Sequence, residues 1–362
     1  MTFGIAIDAA AWQRHTESFR DRVHGADAAL IPVIKGGGYG LGQALLAREA
    51  TRLGLKAIAV GTVHEIESVL DDFAGDIIVL EPFDPRDHGA TAAWQRHAGS
   101  AADGRLIHTV ASNEGLDHLL DTHELPRVIV EARTAMQRFG FSGPALREAW
   151  QWASQAEAEG RLRLHGLTVH LPLAPTNADL DEILHLADEV GDGSLHVLAS
   201  HITLQQLEIL KRHSPNLRFS LRVGTALWLG LRAALQPYGT VLAVHRLAKG
   251  DVVGYNRRPV HVPGYAVVVG GGTAHGVGLA APSPATTWRQ RLVSLGTGAF
   301  EAVGRAKSPF ALGNKQLWFI DPPHQHVSTV WLPSSATPPA VGTELPAVAR
   351  FTITHADSVE LR

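Results

Sequence analysis

The chain has 362 residues, 45% hydrophobic and 19% charged, and contains no cysteine. This composition suits one large domain plus a smaller one, and it excludes disulfides, thiolate catalysis and Cys-type zinc sites. A formal net charge of −3 leaves no basic footprint for nucleic acid, and no apolar run approaches the roughly 18 residues of a membrane-spanning helix. The stretch Met1 to Arg20 turns acidic and amphipathic at once, without a basic-then-apolar leader, so a cytoplasmic location is expected. Twenty histidines are scattered rather than clustered, which points away from a metal centre.

The first clear element is the apolar run Ala28 to Ile34, read as a buried strand because aliphatic and β-branched residues follow one another without polar breaks. Similar short runs follow at Ala57 to Gly61, Asp76 to Leu80, Leu106 to Val110 and Arg127 to Glu131, then at Leu164 to His170, Leu195 to Ser200 and Arg218 to Arg222. Most gaps carry a helical pattern, as in Leu41 to Leu53, Pro144 to Ala158 and Leu180 to Val190. Alternating β and α segments imply a parallel sheet with right-handed crossovers. Eight such units predict an α/β fold, a (β/α)8 TIM barrel, which typically takes about 250 residues. An open doubly wound sheet is the rival, but no strand leads into a Gly-x-Gly-x-x-Gly helix start with an acid further on.

From about Val241 the texture changes. Short β-like runs occur at Val241 to His245, Asp251 to Tyr255, Tyr265 to Gly270, Arg291 to Leu295, Leu317 to Ile320, Val327 to Leu332 and Ala347 to Thr354, separated by Gly and Pro. The Pro-rich stretch Leu332 to Leu345 reads as a loop. The expected division is a barrel over 1–235 and an all-β domain over 236–362.

In a barrel, chemistry belongs at the C-terminal ends of the strands. Lys35 ends the first strand, just before Gly36-Gly37-Gly38-Tyr39-Gly40-Leu41-Gly42. A lysine there can have its pKa lowered and form a Schiff base with a carbonyl; a lysine merely snorkelling beside a flexible turn fits the local pattern equally well. Arg138 follows the fifth strand, His170 ends the sixth and Arg222 ends the eighth. Singly, each has a dull explanation. Together they suit a small anionic ligand with a reactive carbonyl.

The Lys35 segment resembles the pyridoxal phosphate (PLP) lysine motif of the alanine racemase family, Val-Val-Lys-Ala-Asn-Ala-Tyr-Gly-His-Gly. Lys35, Tyr39, Gly40 and Gly42 keep that pattern; Gly36 to Gly38 and Leu41 depart from it. Further segments are similar in the same order. Met136 to Phe141 resembles Met-Asn-Arg-Leu-Gly-Phe, Gly166 to His170 a Gly-x-x-x-His strand, and Arg222 to Leu227 Arg-Pro-Gly-Ile-Ala-Leu. In the β region, Lys249 to Tyr255 resembles Gly-Glu-x-Val-Ser-Tyr, and Ile5 to Asp8 resembles the opening strand. The likeness runs from about residue 5 to 280.

The resemblance implies a PLP-dependent amino-acid racemase, a homodimer with shared active sites acting on a small amino acid. Lys35 would carry the cofactor and serve as base on one face of Cα, with Tyr255 of the partner subunit serving the other. Arg138 would contact the cofactor's phenolic oxygen and Arg222 its pyridine nitrogen. His170, hydrogen-bonded onward to Arg222, would assist Tyr255. Tyr39, Thr203, Gly224 and Thr225 would take the phosphate. Departures are concentrated late in the chain. The family's substrate-side methionine is missing, since the only methionines are Met1 and Met136, and Pro322 to Ser328 stands in its place. Its late phosphate tyrosine is also missing, since none follows Tyr265. A PLP decarboxylase of the same barrel type, with Gly270-Gly271-Gly272 as phosphate glycines, and a non-catalytic PLP-binding homologue are the alternatives. Retention of Tyr255 argues against the latter.

Overall fold

A computed structural model describes residues 2–100, 102–255, 257–279 and 306–362. The chain opens with β1 (Phe3–Ile7) and α1 (Ala9–Gly25). All eight expected barrel strands follow: β2 (Ala29–Pro32), β3 (Ala57–Val60), β4 (Asp76–Pro82), β5 (Leu106–Val110), β6 (Arg127–Ala132), β7 (Arg163–Val169), β8 (His196–Ser200) and β9 (Arg218–Val223). They form one parallel sheet in the order β2-β9-β8-β7-β6-β5-β4-β3. A parallel bridge joins Val33 to Ala59, and Ile34 N donates to the Ala59 carbonyl at 2.7 Å, so the sheet comes round nearly to closure.

A helix follows each of these strands: α2 (Gln43–Arg52), α3 (Glu67–Leu70), α4 (His88–Gln95), α5 (Asn113–Thr122), α6 (Pro144–Ala158), α7 (Asn177–Val190), α8 (Leu204–His213) and α9 (Thr225–Trp228). In α6, Leu146, Ala149, Trp150, Ala153 and Ala156 are buried, the i, i+3, i+4, i+7 stripe of a helix packed on a sheet. Ile31, Val33, Ala59, Ile78, Ile107, Ile129 and Leu198 form one apolar cluster from alternating strand positions. Burying each such aliphatic side chain contributes roughly 1.5–3 kcal/mol. This packed interior leaves the strand ends, not a central pore, to carry chemistry.

The later strands are β10 (Leu235–Leu247), β11 (Val252–Val253), β12 (Arg258–Pro259), β13 (Gly264–Gly270), β14 (Lys307–Leu312), β15 (Lys315–Phe319), β16 (Val327–Pro333), β17 (Glu344–Pro346) and β18 (Ser358–Leu361). The larger sheet runs β14-β15-β16-β13-β10-β1-β18, with β17 also paired to β10; β11 and β12 form a two-stranded ribbon. Its core includes Phe3, Val241, Val267, Val269, Phe310 and Val330. The structure thus combines a parallel barrel with a separate, mainly antiparallel sheet. Because β1 pairs antiparallel with β10 and parallel with β18, the β unit takes in residues 1–12 and 39–42 as well as 231–362. The barrel unit comprises 13–38 and 43–230. No helix among the described residues is long and apolar enough to cross a membrane.

Two expectations for the β region need correction. Ala347 to Thr354 is not a strand: Ala347 makes one antiparallel bridge to Phe310, and the chain then turns. Ile353 N and the Thr354 hydroxyl both donate to the Arg350 carbonyl, closing that turn locally. Asp251 to Tyr255 contributes only the two residues of β11. The expected strand Arg291 to Leu295 lies outside the described residues.

Candidate active site

Lys35 lies just beyond β2, and one carboxylate holds both the residue after it and the end of the neighbouring strand. Glu65 accepts from Gly36 N at 2.7 Å through Oε1 and from Gly61 N at 2.6 Å through Oε2, tying the turn after β2 to the end of β3. The lysine side chain remains accessible, yet its ammonium pKa is pulled below the ordinary value. Desolvation is the main cause, the positive charges of Arg138 and Arg222 add to it, and Glu65 opposes them. A more readily deprotonated lysine at a barrel mouth is suited to attack a carbonyl.

Arg138 is carried by the turn between β6 and α6. The Thr134 hydroxyl donates to the His170 carbonyl at 2.5 Å, fastening that turn to the end of β7. Gly140, at φ +111°, lets the turn double back on Ala132 and Arg133, where any Cβ would collide with their backbone. Phe141 N donates to the Glu131 carbonyl and Arg133 N to the Phe141 carbonyl, completing the return. Glu131, on β6, is buried, and its Oε2 has no hydrogen-bond partner among the described residues. Burial raises its carboxyl pKa, while the charges of Arg222 and Arg138 pull the other way.

Arg222 is buried on β9. Its Nη2 donates to the Val169 carbonyl at 2.7 Å, and its Nε is unpartnered among the described residues. Desolvation, reinforced by Arg138 and opposed by Glu131, lowers its pKa to about 10, still protonated at neutral pH. The expected hydrogen bond from His170 to Arg222 is replaced by another. His170 Nδ1 lies 2.9 Å from Ser200 Oγ on β8, and Arg222 is committed to the neighbouring Val169 carbonyl. Desolvation, then Arg222, Arg138, His201 and Lys35, push the His170 pKa down to about 3. His201 packs edge-on against His170 with centroids 5.3 Å apart, and desolvation and Lys35 lower its pKa too. Both rings are therefore neutral beside two arginines. The barrel mouth offers positive charge and an amine of lowered pKa together, with the buried Glu131 carboxyl group as counterweight.

The barrel unit also holds Gly224 and Thr225, at the start of α9, and Thr203. The Thr203 hydroxyl accepts from Gln206 N at 3.2 Å and caps α8. Tyr39 and Tyr255 are grouped with the β unit. Tyr39 is buried and adopts φ 57° in a short turn. Tyr255 is 83% exposed. Gly270 to Gly272, at the end of β13, belong to the β unit, where added Cβ atoms would meet Thr2, Phe3 and the His324 and Gln325 carbonyls.

Sequence reading missed Glu65, Glu131, Ser200 and His201. Glu131 closes a buried strand run, a position where a carboxylate is anomalous and could have been noticed. Glu65 has no such signal, because its partners lie 29 and 4 residues away.

Comparison with known proteins agrees with this geometry. The family model for the alanine racemase N-terminal domain matches residues 7–231. An alanine racemase from Mycolicibacterium vanbaalenii is 28% identical over 265 residues, 65% of this chain and 62% of the relative. One from Mycobacterium ulcerans is 25% identical over 279 residues, 69% of this chain and 66% of the relative. The chain thus matches just under two thirds of the length of these relatives. Among solved structures, alanine racemase from E. faecalis superposes with a TM-score of 0.68 at 19% identity, covering 96% of this chain and 88% of that one. Alanine racemase from Bartonella henselae with covalently bound pyridoxal phosphate gives 0.68 at 15% identity, covering 96% and 91%. At such identities these likenesses speak for the fold, a barrel with a separate β domain. With the family model covering most of its length, the chain belongs to the alanine racemase family.

Proposed function

We propose that this protein is a PLP-dependent amino-acid racemase that interconverts L- and D-amino acids by two-base proton transfer at Cα, acting as a cytoplasmic homodimer with shared sites. The observation that carries the reading is the meeting of Lys35, Arg138 and Arg222 with two neutral histidines at one barrel mouth. The residues fit the cofactor. A buried guanidinium with an unpartnered Nε calls for an acceptor, a phosphate suits the surrounding positive charge, and a lysine of lowered pKa suits an aldehyde. The Bartonella henselae relative holds pyridoxal phosphate covalently.

When bound, pyridoxal phosphate supplies an electron sink for the charge left at Cα. Lys35 would anchor it, Arg222 would face its pyridine nitrogen and Arg138 its phenolic oxygen. The Gly224 and Thr225 amides, the Thr203 hydroxyl and Tyr39 would take its phosphate. Arg222 keeps its own proton at neutral pH, so it donates a hydrogen bond without yielding an acid. As the Lys35 amine takes the Cα proton on one face, the Tyr255 phenol of the partner subunit would donate one on the other; in the reverse direction the phenolate takes the proton and the Lys35 ammonium returns one. Ser200 orients the His170 ring through Nδ1, leaving Nε2 available for onward hydrogen bonding.

The test mixes purified protein and PLP with a panel of L-amino acids in D2O, following Cα deuteration and D-isomer formation together. Both should appear for at least one small amino acid. Loss of the carboxylate, or deuteration without any D-isomer, would overturn the racemase reading.

A further inference from the structure

Tyr255 presents a problem of placement. It lies in the turn between the two-residue strands β11 and β12, and its side chain is largely in water. A free phenol on such a turn samples several rotamers, whereas proton transfer needs one geometry.

The β unit carries a device that restricts it. The segment 321–327 precedes and enters β16 and is pinned by backbone hydrogen bonds to the end of β13. Thr273 N donates to the His324 carbonyl at 2.8 Å, Ala274 N to the Gln325 carbonyl at 2.9 Å, and Gly271 N to the His326 carbonyl at 2.9 Å. His324 N in turn donates to the Val327 carbonyl at 2.9 Å. This platform holds the His324 imidazole against the Tyr255 ring, with centroids 4.5 Å apart and planes inclined by 33°. Asp321, buried at the root of the platform, accepts from Tyr255 N at 3.0 Å. Its Oδ2 also lies 3.8 Å from His324 Nε2. Gly254, at φ +77°, permits this approach, since a Cβ there would collide with the Asp321 carboxyl group. One carboxylate thus holds the backbone of Tyr255 and lies beside the ring that packs on its side chain. Tyr255, Asp321 and His324 all border a concavity of about 650 Å³ on this unit.

We propose that His324 is a positioning residue for Tyr255, holding the phenol in the orientation from which it exchanges a proton with substrate. The proposal rests on the assignment of Tyr255 as the second base, and its test separates the two. The full chain has four tyrosines, so in protein labelled with 3-fluorotyrosine the Tyr255→Phe variant identifies the Tyr255 fluorine signal. In His324→Ala that signal should narrow and move toward the free amino acid. In His324→Phe, which keeps a flat ring on the platform, it should stay near its original place. Loss of the aromatic contact should lower kcat roughly three- to tenfold with KM unchanged, and His324→Phe should recover most of the loss. A Tyr255 signal indifferent to His324→Ala, or one that moves while kcat holds at the wild-type value, would overturn the proposal. A Tyr255→Phe variant that racemises like wild type would instead overturn the second-base assignment beneath it, whatever the fluorine signal does.

Discussion

In the proposed reaction Lys35 and Tyr255 would do matching jobs, but the two units hold them in opposite ways. Lys35 rises from a nearly closed parallel framework, where Glu65 clamps the backbone at Gly36 and Gly61 and the strand beneath is buried. Tyr255 rests on a two-strand ribbon and depends on a platform supplied by a different segment. The barrel positions its chemistry through strand register, which can shift only if neighbouring strands shift with it. The β unit positions its chemistry through loop contacts, which can change without disturbing the sheet. Departures from the family pattern fall in both units: Gly36 to Gly38 and Leu41 around Lys35, and the missing methionine and late tyrosine in the β region.

The sharpest way to break the comparison is to remove each base in turn. Lys35→Ala should abolish racemisation and cofactor fixation together, so that borohydride reduction with PLP leaves no phosphopyridoxyl mass on the chain. In the wild type, peptide mass spectrometry should find that mass on Lys35; finding it on another lysine would sink the assignment. Tyr255→Phe should cut racemisation by about 10²–10⁴-fold and leave reduction onto Lys35 intact. If the sites are shared, mixing the two inactive variants should restore about a quarter of wild-type activity. Random reassortment makes roughly half heterodimers, each with one intact site of two, an estimate that assumes closed two-fold symmetry. Heterodimers that form but stay inactive would place both bases in one chain.

The same contrast decides what could be read in advance. Barrel strands such as Ile77 to Val79 and Val128 to Val130 are buried on both faces, so they read as unbroken apolar runs. Lys35 and His170 were legible as candidates because each directly follows such a run, Arg222 because it lies near the end of one and Arg138 because it lies in the turn after one. β14 was not: Pro309 interrupts it, as an edge strand tolerates and a pattern search does not. β18 is four residues long and half charged or polar, and only its pairing with β1 makes it a strand. In Ala347 to Thr354 the alternation of apolar and polar residues imitates a strand, but Phe351 is buried within a turn, with Arg232 over its ring at 4.6 Å. Ser200 and Glu131 act on neighbours from other strands, and their roles become visible only once the sheet is assembled.

A smaller effect sharpens the barrel side. Glu131 has a raised carboxyl pKa, so its ionised form is disfavoured in the folded state. Its contribution to stability therefore falls as pH rises through the ordinary carboxyl value of 4.5. Glu131→Gln should raise the melting temperature at pH 7, and the gain should vanish below about pH 4.5, where the native carboxyl is neutral. If the carboxylate is retained to balance Arg138 and Arg222, the same variant should lose roughly tenfold in kcat/KM, equivalent to about 1.4 kcal/mol. A variant that is less stable at pH 7 would show that Glu131 is structural and its charge favourable.

Acid should expose the barrel's own weak point. His108 is fully buried on β5, stacked on Trp94 at 3.9 Å, with Nδ1 unpartnered among the described residues. Desolvation, with a further contribution from His123, lowers its pKa to about 3. Burial is likewise the main cause that lowers His165 to about 4. Such histidines stay neutral in the native state while the unfolded chain takes up protons below the ordinary value of 6.5. Stability is thus unaffected above that value and falls as pH drops below 6.5, down to about 3 for His108 and about 4 for His165, by up to about 1.4 kcal/mol per pH unit for each histidine. His108→Phe keeps a ring against Trp94, removes the unpartnered nitrogen and cannot titrate. Urea unfolding at pH 7 and pH 5.5 should therefore show the variant gaining about 1.4 kcal/mol on the wild type over that interval. Hydrogen exchange near pH 5.5 should place the wild type's loss of protection in the barrel strands around β5. Identical pH dependence in the two proteins would mean that His108 is protonated, or reached by water, in the native barrel.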